Sequence, residues 1–264
     1  MKIPDIRVLC LLSLMAISCG DDFVKQSLIT YSRVLAIKAE PPEVAPSGTI
    51  EVSAFTAEIS PIVKYQWTGC PLTKGPYEGF ACVAPELEIP LGDQKELTLQ
   101  IPSEEFIQAL INMLPESLFS LEEGVDYYLR LVTTDQHGKG MESFKRIRIS
   151  KKEKKNMNPQ LLGVIANGVT WMEGQAISMR EGDEVNLIPV ANALSFEEGE
   201  EPFFSWFADG GWFESTRTSP EFPENLFRIG KKDGEEKESI TLYLVLNDGE
   251  GGVDFLTRSI KVVF

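Results

Sequence analysis

The sequence predicts a mainly β protein that consists of two tandem β-sandwich domains, with a short helical insertion in the first. Two observations support this prediction. Short runs of residues alternate between apolar and polar side chains, and turn-forming residues separate the runs; this spacing is typical of half-buried strands. The second half of the chain also repeats the pattern of the first, so one arrangement of strands is expected twice.

The first domain is predicted at residues 33–150. Its strands are predicted at 33–39, 49–57, 64–68, 96–101, 125–134 and 143–149. In the second of these strands Ile50, Val52 and Ala54 share one face, which is therefore expected to point into the core. A turn at residues 135–138 is expected to join the last two strands into a hairpin.

One segment of the first domain, 103–114, predicts a helix rather than a strand. Ser103 can cap the helix, Glu104 and Glu105 suit its first turn, and Pro115 ends it. Its apolar side chains form two adjacent rows: Phe106, Leu110 and Met113 in one, and Ile107, Ile111 and Leu114 in the next. The favoured interpretation is a helix that covers a sheet edge. The alternative is a partner-binding site, whose candidate residues are Phe106, Ile107, Leu110 and Ile111.

A charged segment at 151–157 is the predicted linker, and the second domain is predicted at 158–264. Trp67 of the first domain corresponds to Trp206 of the second, and Asp135 corresponds to Asp248. The Trp and Asp are 68 residues apart in the first domain and 42 apart in the second. The first domain therefore contains 26 additional residues, which is enough for a loop after the third strand and for the helix.

The N-terminus has the features of a signal peptide at residues 1–18. Lys2 and Arg7 form a short basic region. The uncharged apolar run that follows, 8–17, is too short to span a bilayer. The next residues, Ala16-Ile17-Ser18-Cys19, resemble the bacterial lipobox. This resemblance implies cleavage after Ser18, lipidation of Cys19 and a lipidated tether at 19–32. The alternative is an ordinary cleaved signal peptide followed by an incidental cysteine.

Two further resemblances concern the mature chain. The tryptophan on the third strand and the closing segment Asn247-Asp248-Gly249-Glu250-Gly251-Gly252 resemble bacterial immunoglobulin-like and PKD-like domains. That likeness implies an immunoglobulin-like sandwich for each half. Residues 33–46, shortly after the predicted lipidated cysteine, resemble a group of uncharacterised Gram-negative lipoproteins. Because Gly20 rather than Asp follows Cys19, the outer membrane is the favoured location. Neither resemblance implies a reaction.

The cysteines and the net charge restrict the environment and the partners. Cys70 and Cys82 remain after signal cleavage and lipidation, and an exported protein is expected to join them in a disulfide. Two buried free thiols are the alternative. The chain has a net charge of −15, and this negative charge argues against nucleic-acid binding. Membrane attachment is therefore expected to depend on the Cys19 lipid rather than on charge.

The chain shows no sequence motif of a common enzyme class, and no cofactor is expected. His137 is the only histidine, and with two cysteines it does not make a zinc site. Asp248, Glu250 and Asp254 could bind calcium, although a simple hairpin turn is the favoured interpretation. Trp212 could be a glycan-stacking platform, although packing in the core or at a sheet edge is favoured.

Taken together, these patterns predict a membrane-anchored extracytoplasmic lipoprotein that is not an enzyme. It is expected to act as a binding or scaffold module for an envelope protein or glycan. The alternative is a cell-envelope glycan hydrolase that uses a pair of carboxylates, because carboxylates are abundant in the sequence. An ordered pair of carboxylates in a deep cleft would favour the hydrolase, and two compact sandwiches would favour the binding module.

Overall fold

A computed structural model describes residues 26–112, 120–196, 199–230 and 237–263. Within these ranges the predicted fold is confirmed, since the strands form four sheets that pack in two pairs. The first pair, called the first sandwich, consists of β1 (Arg33–Glu40), β2 (Glu43–Val44), β3 (Thr49–Ala57), β4 (Ile62–Cys70), β5 (Ile89–Gly92), β6 (Glu96–Gln100), β7 (Val125–Asp135) and β8 (Gly140–Ile149). The predicted helix is present as α1 (Glu104–Ile111).

The second pair of sheets, called the second sandwich, follows after a segment without strands. It consists of β9 (Leu161–Ala166), β10 (Val169–Trp171), β11 (Ala176–Arg180), β12 (Glu184–Ala191), β13 (Phe203–Ala208), β14 (Trp212–Phe213), β15 (Arg217–Thr218), β16 (Asn225–Arg228), β17 (Ser239–Asn247) and β18 (Val253–Val263). Short 3-10 turns lie at Pro76–Glu78, Pro85–Leu87 and Ala193–Ser195.

The first sandwich encloses a core between a sheet of order β1-β3-β6 and a sheet of order β2-β8-β7-β4-β5. Alternation along the strands directs one face of each sheet inward, so Ile50 of β3 and Leu129 of β7 meet in a single apolar cluster. The predicted inward face of β3 is confirmed. Trp67 of β4 is 1 % exposed, and its indole N–H donates to the carbonyl of Gln94 at 2.7 Å.

The second sandwich is built on the same plan. Its sheets have the orders β10-β9-β12-β16-β14 and β11-β18-β17-β13-β15. Phe204 and Trp206 of β13 point into the core, as the alternation predicts, and Trp206 is 1 % exposed. The Trp206 indole N–H donates to the Thr218 hydroxyl at 2.9 Å. Each buried indole therefore has a hydrogen-bond acceptor in a neighbouring segment.

The two sandwiches share one strand topology. The order β1-β3-β6 corresponds to β9-β12-β16, and the order β2-β8-β7-β4-β5 corresponds to β11-β18-β17-β13-β15. In the sheets β2-β8-β7-β4-β5 and β11-β18-β17-β13-β15, an edge strand pairs in parallel with the last strand of its sandwich, β2 with β8 and β11 with β18. This correspondence is what the internal repeat of the sequence predicts.

The closing hairpins of the two sandwiches are shaped by equivalent aspartates. The Asp135 carboxylate accepts the backbone N–H groups of His137 and Lys139, both at 2.9 Å. The Asp248 carboxylate accepts those of Glu250 at 2.7 Å and Gly252 at 2.9 Å. The hydrogen bond from Lys139 is the main cause that lowers the pKa of Asp135. Each aspartate thus replaces the backbone acceptors that a tight turn lacks.

A buried cation occupies the same position in each sandwich, ten residues after the hairpin aspartate. In the first sandwich Lys145 Nζ donates to the carbonyl of Gly251, which belongs to the second sandwich. In the second sandwich Arg258 Nε donates to the carbonyl of Trp171 at 3.0 Å, within the same sandwich. Burial lowers the pKa of Lys145 to about 8. The two cations are therefore covered by different parts of the chain.

The two sandwiches contact each other directly. Phe55 of β3 stacks on Phe255 of β18, with ring centroids 4.1 Å apart. Lys38 of β1 forms an ion pair with Asp254 of β18 at 2.9 Å. These contacts combine apolar packing with charge pairing across one junction.

The N-terminal segment also belongs to this junction, in contrast to the tether predicted for 19–32. Ser27 and Ile29 are buried. The Ile29 N–H donates to the Ala208 carbonyl at 2.7 Å, and the Ala208 N–H donates to the Ser27 carbonyl at 2.9 Å. Residues 27–29 therefore add to an edge of the second sandwich before the chain enters β1.

The predicted linker, 151–157, is exposed at its beginning and fixed at its end. Residues 151–154 are exposed. The backbone N–H of Asn156 donates to the Glu43 carboxylate at 2.8 Å, and its side-chain amide donates to Asp248 at 2.9 Å. Asn156 thus connects a residue of each sandwich, which restricts their relative movement.

Candidate binding site on the first sandwich

The connection from β4 to β7 carries the additional residues that the spacing of the repeat predicts. It contains a disulfide loop, residues 70–82, and helix α1. The equivalent connection from β13 to β17 has neither feature in the residues described. Because both features lie at the same end of the first sandwich, this end is the candidate functional site.

The disulfide between Cys70 and Cys82 is confirmed, with Cα atoms 5.8 Å apart. Within the loop the Lys74 N–H donates to the Ala81 carbonyl at 2.9 Å, and the Val83 N–H donates to the Leu72 carbonyl at 3.1 Å. The loop is therefore a small hairpin fastened at its base by a covalent bond. The side chain of Tyr77, at its tip, is fully exposed.

Aromatic stacking fixes the loop on the outer face of the sheet. The Phe80 ring lies 5.0 Å from that of Tyr128 and 5.3 Å from that of Phe144, between centroids. Phe80 adopts a φ of 53°, a left-handed conformation that is unfavourable for a bulky side chain. The stacking and the disulfide together compensate for this strain, and they hold the loop in one position.

The two rows of apolar residues on α1 have different environments. Ile107 is 4 % exposed and lies in the core of the first sandwich, and Ile111 packs against that core. Phe106 is 43 % exposed. Both rows line one cavity, Phe106 and Leu110 from the first and Ile107 and Ile111 from the second. Ser103 caps the helix as predicted, since its hydroxyl accepts the Phe106 N–H at 3.4 Å. Met113 and Leu114 lie outside the described residues.

The cavity beside α1, called the helix cavity, has a volume of about 210 Å³. It lies between α1, the start of the disulfide loop and the ends of β7 and β8. Its apolar lining includes Leu72, Phe106, Leu110, Val125 and Ile149. A cavity of about 150 Å³ can accommodate a benzene ring, so the helix cavity can accept one large apolar side chain.

The floor of the helix cavity includes Tyr127, whose burial raises its pKa to about 12. The Tyr127 ring can approach β4 closely only because residue 69 is glycine. A Cβ atom at Gly69 would lie 2.0 Å from the Tyr127 hydroxyl oxygen. Gly69 is therefore required for the position of this ring.

Asp126 is the only charged side chain among the described residues that line the helix cavity. Its Oδ2 lies 3.9 Å from Arg146 Nη1. Its Oδ1 is buried and has no hydrogen-bond partner within the described part of the chain. A buried carboxylate oxygen without a donor is unfavourable by about 1–3 kcal/mol. The Asp126 side chain as a whole is 33 % exposed, so its carboxylate charge can act on a ligand in the cavity.

A second groove, of about 420 Å³, lies on the other side of the disulfide loop. Three carboxylates line it: Glu78, which lies 3.5 Å from Lys74, and the closely placed pair Glu88 and Glu142. Arg130 bridges this pair, with its Nη1 2.9 Å from Glu88 Oε1 and its Nε bonded to Glu142 Oε1. A glycosidase places the scissile bond between its two carboxylates. Here a guanidinium group occupies that position.

Trp212, the candidate glycan-binding residue, lies in β14 and is half-buried. It pairs with Arg228 of β16. Its ring lies against Gly230, where a Cβ atom would come within 2.0 Å of the ring. This packing at a sheet edge agrees with the interpretation that the sequence favours for Trp212.

The other residues considered for metal binding or catalysis serve the hairpins and the junction. Asp254 pairs with Lys38 and also accepts the Leu161 N–H at 2.8 Å. Glu250 lies 3.5 Å from Arg146 Nη2. His137 is exposed in its turn. In the ranges described, no group of three or more His, Cys, Asp or Glu side chains is arranged to hold a metal ion.

The predicted lipidation site, Cys19, lies outside the described residues. Among those that are described, no helix has the length and apolar character needed to cross a membrane.

Sequence reasoning identified α1 and the disulfide but missed Asp126, Phe80 and Tyr128. Asp126 and Tyr128 occupy outward positions of β7, where polar and aromatic residues are ordinary. The 26-residue excess was the signal that could have directed attention to this end of the sandwich. Which β7 residues border the insertion depends on packing that the sequence pattern does not encode.

No protein-family model matches the sequence, and no curated protein matches it. Among solved structures, the chain is similar to the two tandem V-type regions of VCBP3, a v-region-containing chitin binding protein. The identity is 10 %, the TM-score 0.33, and the match covers 87 % of this chain and 100 % of that one. The D00-D0 domain of intimin matches with 9 % identity and a TM-score of 0.27, over 87 % of this chain and 100 % of that one. Murine CEACAM1b matches with 13 % identity and a TM-score of 0.24, over 86 % of this chain and 98 % of that one. The strand topology of each half of the chain is that of an immunoglobulin-like sandwich.

Proposed function

We propose that the protein is an outer-membrane lipoprotein, anchored through Cys19, that binds an envelope protein through the helix cavity and performs no catalysis. The helix cavity is the observation that supports this proposal most directly. It is concave, its lining is mostly apolar, and it contains one carboxylate whose Oδ1 has no partner in the described chain. Binding pockets commonly have this composition.

The frame around the helix cavity is rigid enough for specific binding. The disulfide and the Phe80 stacking fix the loop on one side. On the other side, Ile107 anchors α1 in the core. A site held in this way loses little conformational entropy when a partner binds.

The packed N-terminal segment supports a scaffold role. Because Ser27 is buried and its carbonyl accepts the Ala208 N–H, seven residues, 20–26, lie between Cys19 and this packed residue. Seven residues extend over about 25 Å at most. An anchor at Cys19 would therefore keep the junction close to the membrane.

The test is photo-crosslinking in intact cells. A photo-reactive amino acid in place of Phe106 is expected to yield a specific adduct with an envelope protein. The same substitution at Phe222, a 77 % exposed residue of the second sandwich, is the matched control. Equal adducts at both positions, or none at position 106, would contradict the proposed site.

Anchoring is tested separately by cell fractionation. The Cys19→Ser variant is expected to move from the membrane to the soluble periplasmic fraction, because the acyl chains would supply the membrane affinity. A variant that stays fully in the outer-membrane fraction would show that lipidation of Cys19 does not hold the protein there.

A further inference from the structure

The charge in the lining of the helix cavity belongs to one carboxylate. Asp126 contributes the only carboxylate of the described lining, and no described Lys, Arg or His side chain lines the cavity. Arg146 approaches Oδ2 at 3.9 Å, but it also lies 3.5 Å from Glu250, so its charge is shared. Oδ1 is left buried with no donor in the described chain.

We propose that the helix cavity recognises a segment of the partner protein in which an apolar side chain lies next to a lysine or arginine. This inference rests on the proposed function and specifies its ligand. The apolar side chain fills the cavity beside Phe106 and Leu110. The neighbouring cation pairs with the partly exposed carboxylate of Asp126.

The size of the cavity selects one side chain. Its volume of about 210 Å³ exceeds the roughly 150 Å³ that accommodates a benzene ring. A phenylalanine or leucine side chain therefore fits, whereas two such side chains do not. The fully exposed Tyr77 at the tip of the neighbouring loop can add contacts to the flanking backbone of the segment.

The charge of the whole protein favours the same ligand. The net charge of −15 attracts a cationic segment over distances up to the screening length and repels an anionic one. An ion pair at a partly buried carboxylate is screened less by water and salt than one between fully exposed groups, and the Asp126 side chain is 33 % exposed. Charge and shape thus select the cationic, apolar segment together.

The test measures binding of labelled peptides to the full-length protein in nanodiscs by fluorescence anisotropy. The probe is acetyl-Gly-Lys-Phe-Lys-Gly amide. Two matched peptides replace both lysines with glutamate, or the phenylalanine with alanine. We expect the probe to bind at least tenfold more tightly than either matched peptide.

Variants connect the binding to the cavity. Asp126→Asn keeps the shape of the side chain and is expected to weaken probe binding about tenfold, the equivalent of about 1.4 kcal/mol. Asp93→Asn, at an exposed aspartate elsewhere on the first sandwich, is the control and should leave binding unchanged. Leu110→Trp should fill the cavity and abolish binding, and an unchanged melting temperature would show that the fold is intact.

The outcomes separate this inference from the proposed function. If the lysine and glutamate peptides bind equally, or if Asp126→Asn has no effect, the pairing with a cation is wrong. If the probe does not bind at all while position 106 still crosslinks to an envelope protein, the inferred ligand is wrong and the proposed site stands. Loss of both peptide binding and crosslinking would overturn both proposals.

Discussion

The first and second sandwiches have the same strand order but different connections at one end. Both place a tryptophan in the core, Trp67 of β4 and Trp206 of β13, and both close with a hairpin shaped by an aspartate. In the part of the chain that the structure describes, only the first carries a disulfide loop and a helix in this connection, which runs from β4 to β7 and corresponds to that from β13 to β17. The strand frame accepts these additions because they lie in a connection between strands, from which Ile107 and Ile111 of the helix reach the core.

Under the proposed function, this difference separates residues that stabilise the fold from residues that bind a partner. The residues shared by the two sandwiches are mainly buried or complete a turn. The residues found only in the first sandwich form a cavity and an exposed loop tip. Binding sites are commonly carried by loops on a rigid frame, and the second sandwich shows what the frame is without them.

The largest effect is expected from the two core tryptophans. Trp67→Ala and Trp206→Ala should each lower the free energy of unfolding of their own sandwich by about 3–5 kcal/mol, because each leaves a large cavity in a closed core. Calorimetry on each variant measures the loss. If one of the changes lowered the free energy of unfolding by less than about 1 kcal/mol, the two positions would not be equivalent.

Removal of the disulfide should distinguish the sandwiches. In the double variant Cys70→Ser, Cys82→Ser the first sandwich should lose about 3 kcal/mol of stability, as expected for a loop of this length. Hydrogen exchange should then show weaker protection in β4 and the loop, while β13 and β17 keep theirs. Equal loss of protection in both sandwiches would mean that they unfold as one unit.

Two neighbouring residues of α1, both of which line the helix cavity, should separate a buried core position from a partly exposed one. Ile107→Ala should lower the free energy of unfolding by about 2–3 kcal/mol, because Ile107 is buried in the core. Phe106→Ala, at a partly exposed position, should change it by only about 0.5 kcal/mol. Chemical denaturation measures both values. A larger loss for Phe106 would assign that side chain to the core rather than to a binding surface.

The smallest expected effect is a change of stability with pH, which should depend on Lys145 and not on the equivalent Arg258. Since burial lowers the pKa of Lys145 to about 8, the folded protein binds fewer protons than the unfolded chain above that pH. Stability should therefore rise by about 1 kcal/mol from about pH 7 to pH 9. Arg258 remains charged throughout this range, so it adds no such slope.

The pH dependence is measured by urea denaturation at several pH values. Lys145→Met should remove the rise, whereas Lys64→Met, at an exposed lysine of β4, should keep it. A rise that persists in Lys145→Met would assign it to another group.

Most of the frame could be predicted from the sequence, because strand faces depend on local alternation. Ile50 and Val52 are buried as their spacing predicts, and the repeat located Asp135 and Asp248 at equivalent turns. Ser103 and the disulfide also have local signatures, a cap before an apolar run and two cysteines in a chain with a predicted signal peptide.

The contacts that create the site and the junction could not be predicted in this way. The pairing of Leu28 with Ala208 joins residues 180 positions apart, and neither segment has a pattern that specifies the other. Asp126 becomes part of a cavity only because the disulfide loop and α1 pack beside it. Such long-range contacts depend on three-dimensional packing rather than on residue spacing.

The way in which the two buried cations are covered has a consequence for the docking of a further sandwich. The open end of the first sandwich, at Lys145, is covered by the hairpin of the second through Gly251. The corresponding end of the second sandwich, at Arg258, is covered by β10 of the same sandwich through Trp171. A third sandwich could not dock there in the way that the second docks on the first. The hairpin of β9 and β10 thus acts as a cap, comparable to the terminal units that stop the stacking of repeat proteins.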